Sequence, residues 1–200
     1  MKTLRQIYDE LVDQHARNIA GEMVTTFSDK GREHSYIEYY ERWFEPRRHE
    51  PVQLLEIGVM TGGSMLLWQH YFSDALLAGI DLREGFNQTR PFQQDILAMW
   101  RWGVDSTRAD RVPALGLYDF VIDDGAHDAA SQIATFKNYW PHVAPGGTYF
   151  IEDIEDDTSL QNITRFLLGY LDGVPHHKDY YRGFAHRQDD RILAITKEAQ

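Results

Sequence analysis

Cysteine is absent from this 200-residue chain. That excludes a disulfide framework and every thiolate metal site, and it fits a reducing compartment. Positive charge is scarce as well: 20 Lys and Arg stand against 31 Asp and Glu, a formal net charge of −11. Such a surface repels a nucleic-acid backbone, so no nucleic-acid partner is expected. No apolar run approaches the ~20 residues that span a bilayer, so no membrane partner is expected either. The opening residues, MKTLRQIYDELVDQ, are amphipathic and carry acids, unlike a secretory signal. Neither G-x-x-x-x-G-K-[ST] nor G-x-G-x-x-G occurs, so the usual phosphate and dinucleotide loops are missing. Repeats, low-complexity tracts and linkers are missing too. What remains is the expectation of a cytoplasmic single domain over residues 1–200, with 1–50 a helical lid or appendage and 51–200 its core.

The chain is organised around Tyr118 to Asp153. An apolar run, Phe120-Val121-Ile122, turns abruptly into Asp123-Asp124. A helical segment and Pro145-Gly146-Gly147 follow, and then a second apolar run, Thr148 to Ile151, ends in Glu152-Asp153. Two β-rich runs joined by a helix make a parallel βαβ unit, whose strand ends line the ligand crevice. Both acidic pairs therefore arrive at one edge, with His127 just beyond the first. Unpaired charge at a core edge is costly, and a cation is the natural partner.

Upstream, Leu4 to about Ile19 and about Ser35 to Phe44 read as helices. The aromatic stripe of the second packs on the sheet through Trp43 and Phe44, while His34 and Tyr36 are candidates for a lid over a ligand. Gln53 to Gly58 is a compact strand, followed by a turn with Thr61, Gly62, Gly63 and Ser64 and a helix from Met65 to Tyr71. A strand, a glycine turn and a helix start aim backbone N–H groups at an anion. Leu76 to Asp81 is a second strand, and an acid at its end suits the hydroxyls of a ribose. Phe92 to Met99 is read as a short helix and Ala98 to Val104 as the third strand. Asp105 and Ser106 then either meet an adenine amino group or cap a helix. Further on, Ser159 to Leu171 is a helix with Asp156-Asp157 at its N-cap. Tyr180 to His186 and Arg191 to Thr196 form a hairpin, and His176-His177 is read as loop.

The motifs Leu55-Glu56-Ile57-Gly58-Val59, Gly79-Ile80-Asp81 and Pro145-Gly146-Gly147 resemble those of the class I S-adenosylmethionine-dependent methyltransferases. More narrowly, the chain is similar to the metal-dependent sugar O-methyltransferases of macrolide biosynthesis, the mycinamicin and tylosin type. The residues carrying that similarity are Ser28-Asp29-Lys30-Gly31, Tyr39-Tyr40-Glu41, Ile122-Asp123-Asp124-Gly125-Ala126-His127 and Ile151-Glu152-Asp153. It runs from about Thr26 to Asp153, with Ala126 in place of the family's usual serine. The resemblance implies an α/β, doubly wound Rossmann-like sandwich with a seven-strand mixed sheet. It implies S-adenosyl-L-methionine as cofactor, metal ligation by Asp124, Glu152 and Asp153, and His127 as general base beside Asp124. Tyr36, Glu56, Gly58, Thr61 and Gly62 are then assigned to the cofactor, together with Ser64, Asp81, Asp105, Ser106 and Asp123.

Carboxylates without thiolates make a hard oxygen site, suited to Mg2+, Mn2+ or Ca2+. The function expected is metal-assisted O-methylation of a hydroxyl on a small molecule: a sugar, polyol or phenol of a natural product. Two other readings stay open, a cephalosporin-hydroxylase-like or other non-methylating enzyme of the same fold and a non-catalytic cofactor-binding subunit. Homo-oligomerisation is compatible with either.

Overall fold

The computed structural model describes residues 1–17, 27–84, 96–112 and 116–199. Five helices are present among them: α1 (Leu4–Arg17), α2 (Tyr36–Phe44), α3 (Gly63–Tyr71), α4 (Ala129–Tyr139) and α5 (Asp157–Tyr170). Seven strands form one sheet: β1 (Val52–Ile57), β2 (Ala75–Asp81), β3 (Ala98–Trp102), β4 (Tyr118–Asp123), β5 (Val143–Ile151), β6 (His176–Arg182) and β7 (Arg191–Lys197). Their order is β3-β2-β1-β4-β5-β7-β6. The first five strands pair in parallel, and β7 runs antiparallel to both β5 and β6. This is the doubly wound, seven-strand mixed sheet that the sequence led us to expect.

Both faces of the sheet are covered, which is why its central strands read as continuous apolar runs rather than alternating ones. Period-two alternation divides them between two cores. Leu54, Phe120, Ile122 and Phe150 face α1, α2 and α3, whereas Leu55, Val121, Tyr149 and Ile151 face α4 and α5. The N-terminal helices are thus a packed layer. Tyr36, Ile37, Tyr40 and Phe44 of α2 are fully buried, and the Phe44 ring meets Trp68, Phe72 and Phe120 at centroid distances of 5.2, 5.2 and 4.7 Å. The lid expected of His34 and Tyr36 is not what these residues form: at 2% and 0% exposure they lie inside the fold.

Several boundaries differ from expectation. Residues 18 and 19 of the first helix and 92–95 of the short helix lie outside the described residues, while Ala98 and Met99 belong to strand β3. Pro145-Gly146-Gly147 is not a turn before β5 but part of it: the register with β4 shifts between Tyr118 and Phe120, and Gly146 takes φ +80. A proline without an N–H and a glycine in the left-handed region absorb that bulge inside the strand. His176 and His177 begin β6 instead of lying in a loop, and His186 falls in the turn after it. At α5 the expectation holds, with the Asp156 carboxylate accepting from Ser159 N at 2.7 Å.

Candidate functional site

Strand order reverses direction between β1 and β4, and the carboxyl ends of these strands open a crevice where a doubly wound sheet binds its ligand. The crevice is a cleft of about 420 Å³ lined by residues 27–30, 57–61, 63–64, 80–83, 104–107 and 124–127. Its floor depends on Gly58. The residue holds φ +86, and a Cβ there would lie 2.0 Å from the Asp124 carbonyl oxygen. That approach is knitted by Asp124 N donating to Ile57 O at 2.9 Å and Gly58 N donating to Ile80 O at 2.9 Å. Gly62, with φ +80, is the N-cap of α3. Gly63 comes so close to the 27–31 segment that a Cβ would fall 1.5 Å from the Phe27 carbonyl oxygen. The glycines are therefore needed for close approach of backbone to backbone.

Of the residues assigned to the cofactor, Gly58, Thr61, Ser64, Asp81, Asp105 and Ser106 line the cleft. Asp81 is already engaged there, accepting from Met60 N at 3.0 Å and Arg83 N at 2.8 Å. Asp105 closes a turn on Thr107, whose N and hydroxyl donate to Oδ1 at 3.0 and 2.6 Å. Ser106 pairs with the Thr135 hydroxyl at 3.0 Å. Glu56, Tyr36, Gly62 and Asp123 are not among the lining residues. Glu56 accepts from Ser64 Oγ at 2.6 Å and Trp68 Nε1 at 2.9 Å, a buried strut between β1 and α3. Asp123 turns to the opposite core and accepts from the Tyr149 hydroxyl at 3.1 Å. Burial pushes its carboxyl up to about 7.

The two acidic pairs do meet at one edge, and a lysine lies among them. Lys30, 1% exposed, donates to Glu152 Oε2 at 2.6 Å and to Asp124 Oδ2 at 2.7 Å, with Glu56 Oε1 at 3.7 Å. Burial works against its charge, but Asp124, Glu152 and Glu56 hold its pKa above the ordinary value. The second oxygen of Glu152 accepts from the Tyr40 hydroxyl, and its carbonyl accepts from Gln132 Nε2 at 2.7 Å. Asp153, whose φ is +50, points the other way. Its Oδ1 accepts from the Tyr36 hydroxyl at 2.6 Å, and its Oδ2 lies 3.6 Å from His127 Nε2. His127 is also 3.6 Å from Asp124 Oδ1.

Asp124, His127 and Asp153 each offer a ligand atom within 4.8 Å of one another; Asp29, His34 and Asp153 do the same on the inner side. The electrostatics follow the geometry. Burial, then the neighbouring Asp124, push Asp153 up to about 6. Burial also acts on Asp124, but Lys30 and then His127 bring it below the usual carboxylate range. The Asp124 carboxylate 3.6 Å away and the charge of Asp153 raise His127 to about 9, against the effect of burial. Two carboxylates facing one half-exposed imidazole make a donor set that could hold a cation.

This fold recurs in solved structures. The methyltransferase MycE of the mycinamycin pathway, in complex with Mg, SAH and mycinamycin VI, matches with a TM-score of 0.62 and 25% identity, over 94% of this chain and 54% of that one. The O-methyltransferase TomG from Streptomyces achromogenes, in complex with SAM, shares the fold at a TM-score of 0.58, 16% identity and 97% of this chain. The chain has the class I methyltransferase fold. No protein-family model matches it. Among curated proteins it is similar to the 8-demethyl-8-alpha-L-rhamnosyl tetracenomycin-C 2'-O-methyltransferase of Streptomyces olivaceus, 31% identical over 179 residues, which are 81% of this chain and 47% of that protein. It is also similar to the mycinamicin VI 2''-O-methyltransferase of Micromonospora griseorubida, 33% identical over 133 residues, 60% of this chain and 32% of the other. The chain thus spans about half the length or less of these relatives.

Within the class I fold, sequence reasoning missed Lys30, Tyr40 and Gln132 as members of the cluster, although Lys30 and Tyr40 stand in stretches that carried the resemblance. Lys30 is separated from its partners by 94 and 122 positions, a distance no periodicity spans. The one available hint was a lysine within a conspicuously acidic chain.

Proposed function

We propose that the chain is an S-adenosylmethionine-dependent, divalent-metal-assisted O-methyltransferase acting on a hydroxyl of a small molecule, a sugar of a natural product. The observation that carries this reading is the convergence of Asp124, His127 and Asp153 within 4.8 Å, on the cleft built around Gly58 and the α3 N-terminus. The glycine turn receives the methionine end of the cofactor, whose close approach needs a backbone without side chains. Asp81 accepts from the ribose hydroxyls with the lone pairs that Met60 and Arg83 leave free.

The donor set fits a hard divalent ion: carboxylates with an imidazole nearby and no sulfur. Asp124 Oδ1 and Asp153 Oδ2, each 3.6 Å from His127 Nε2, would hold it, with Glu152 beside them accepting from Lys30 and Tyr40. When bound, the ion lowers the pKa of an acceptor hydroxyl as a Lewis acid and offsets the negative field that keeps His127 protonated. His127 Nε2 takes the proton of the acceptor hydroxyl. The oxygen then forms its bond to the methyl carbon as the carbon–sulfur bond breaks, leaving the neutral thioether. No charged group of the chain is consumed, so much of the rate comes from in-line positioning.

Calorimetric titration with S-adenosylmethionine, repeated with Mg2+ present, tests the two binding claims separately. The reading expects cofactor binding with or without metal and a melting temperature raised by Mg2+ through mass action. A chain that binds neither ligand contradicts it.

A further inference from the structure

Two residues past the end of β5, Asp153 holds φ +50 although it carries a side chain. The left-handed region is costly for such a residue and persists where the surroundings over-determine it. Here those surroundings are three consecutive residues, His34, Ser35 and Tyr36, at the start of α2. Tyr36, 0% exposed, has one hydroxyl proton, and its nearest acceptor, the charged Asp153 Oδ1 at 2.6 Å, takes it. The hydroxyl oxygen accepts in turn from Arg191 N at 3.0 Å. His34 stacks on the Tyr36 ring with centroids 4.7 Å apart, and its Nδ1 lies 3.4 Å from Asp153 Oδ1 and 3.5 Å from Asp190 Oδ1. Ser35 ties the block to the β6–β7 hairpin: its N and Oγ donate to the buried Asp190 carboxylate at 3.0 and 2.8 Å. The hairpin comes in so close that a Cβ on Gly183 would lie 1.7 Å from Ser35 Oγ.

We propose that Tyr36 is a positioning residue for the metal ligand Asp153, and that the β6–β7 hairpin holds Tyr36 to that task through Arg191 and Asp190. This deepens the metal-assisted reading given above and rests on it. The hydroxyl fixes one oxygen of the carboxylate. The other, Oδ2, then stays 3.6 Å from His127 Nε2, the same distance at which Asp124 Oδ1 stands. A free carboxylate turns about its Cα–Cβ and Cβ–Cγ bonds. A buried hydroxyl that is itself anchored on Arg191 N removes that freedom before an ion arrives, so less ordering remains to be done on binding. Strands β6 and β7 contribute no residue to the cofactor cleft lining; they act on the site through Asp153.

The test uses the full chain as wild type, Tyr36→Phe, Ser35→Ala and, as a control on the same helix, Tyr39→Phe, whose lost hydroxyl bonds Asp179 at 3.1 Å and not the cluster. Mn2+ binding is titrated by paramagnetic resonance and S-adenosylmethionine binding by calorimetry, and each variant is melted in EDTA. Tyr36→Phe weakens Mn2+ roughly tenfold or more, the effect of removing a group that orients a ligand, and leaves S-adenosylmethionine affinity at the wild-type value. Ser35→Ala weakens Mn2+ in the same sense by a smaller factor. Tyr39→Phe lowers the melting temperature without changing Mn2+ affinity. If Tyr36→Phe does not fold, Ser35→Ala judged against Tyr39→Phe carries the comparison. The proposal is overturned if Tyr36→Phe binds Mn2+ like wild type. It is equally overturned if Tyr39→Phe loses as much Mn2+ affinity, which would reduce the effect to a loosened α2, or if S-adenosylmethionine affinity falls in step. Wild-type Mn2+ affinity in Ser35→Ala overturns the part given to the hairpin. Wild type that binds no Mn2+ removes the metal reading itself, and this assignment with it; the other failures leave wild-type binding intact.

Discussion

Gly58 and Asp81 show how single residues shape the cleft. Gly58→Val places a side chain in the left-handed region and against the Asp124 carbonyl, 2.0 Å from where its Cβ would lie. We expect loss of S-adenosylmethionine binding together with a lower melting temperature, read by calorimetry and thermal denaturation. Asp81→Ala removes the proposed ribose acceptor and also orphans Met60 N and Arg83 N. It should weaken the cofactor by up to a few kcal/mol, about the worth of charged hydrogen bonds, and soften the 58–62 turn. Unchanged affinity would take Asp81 out of the site. Tyr36→Phe is the contrasting case. Its hydroxyl bonds Asp153 and accepts from Arg191 N at 3.0 Å, away from the cleft lining. The expected outcome is a stability loss of about 1–2 kcal/mol with S-adenosylmethionine affinity kept; a large loss of affinity would restore Tyr36 to the cofactor site.

Elements decide where those residues point, and here the sequence was legible in part. The strands ending in acid, the glycine turn and the helix between β4 and β5 were readable, because parallel strands buried on both faces leave unbroken apolar runs. The direction of each acid was harder. Successive residues of a strand face opposite sides, so Glu152 turns inward to Tyr40 and Lys30 while Asp153 turns toward His127. Asp123 and Asp124 diverge in the same way. Period-two alternation was thus the available clue that neighbouring acids would meet different side-chain partners. The β5 bulge was illegible because its cause is register against β4, a long-range match. The packing of α2 as a layer was half visible in its aromatic stripe. Its attachment to α1 gives a pH prediction. Arg5 pairs with Glu38 through two hydrogen bonds, at 2.7 and 3.0 Å, and that bond holds Glu38 below its ordinary 4.5. A carboxylate lowered on folding stabilises above its unfolded pKa and loses that contribution as pH falls through the folded one. Glu38→Gln should therefore melt lower at pH 7 by no more than ~0.5 kcal/mol, the worth of a screened surface pair. The difference should begin to shrink as the pH falls below about 4.5 and disappear once it passes the lowered folded value, which thermal melts taken in steps from pH 7 downwards would reveal.

At the scale of the whole molecule, sheet order concentrates a strongly acidic chain's buried carboxylates at one edge. Net charge is −11, yet the costly part of it is the cluster at the ends of β1, β4 and β5, where Lys30 is the one lysine or arginine held by hydrogen bonds among the described residues. No described helix is long and apolar enough to cross a membrane, and the cleft opens at the strand ends rather than on a helical face. Cofactor cleft and cation cluster share Asp124 and His127, and this adjacency is what joins methyl transfer to metal in one account. The most direct measurement is mass spectrometry of O-methyl transfer from S-adenosylmethionine to a panel of glycosylated natural products, by wild type and Asp124→Asn, in Mg2+ and in EDTA. The account predicts an acceptor heavier by one methylene for wild type in Mg2+ alone, with Asp124→Asn behaving like the chelated enzyme while still binding S-adenosylmethionine. Methyl transfer that persists in EDTA at the same rate, with Asp124→Asn as active as wild type, would contradict it.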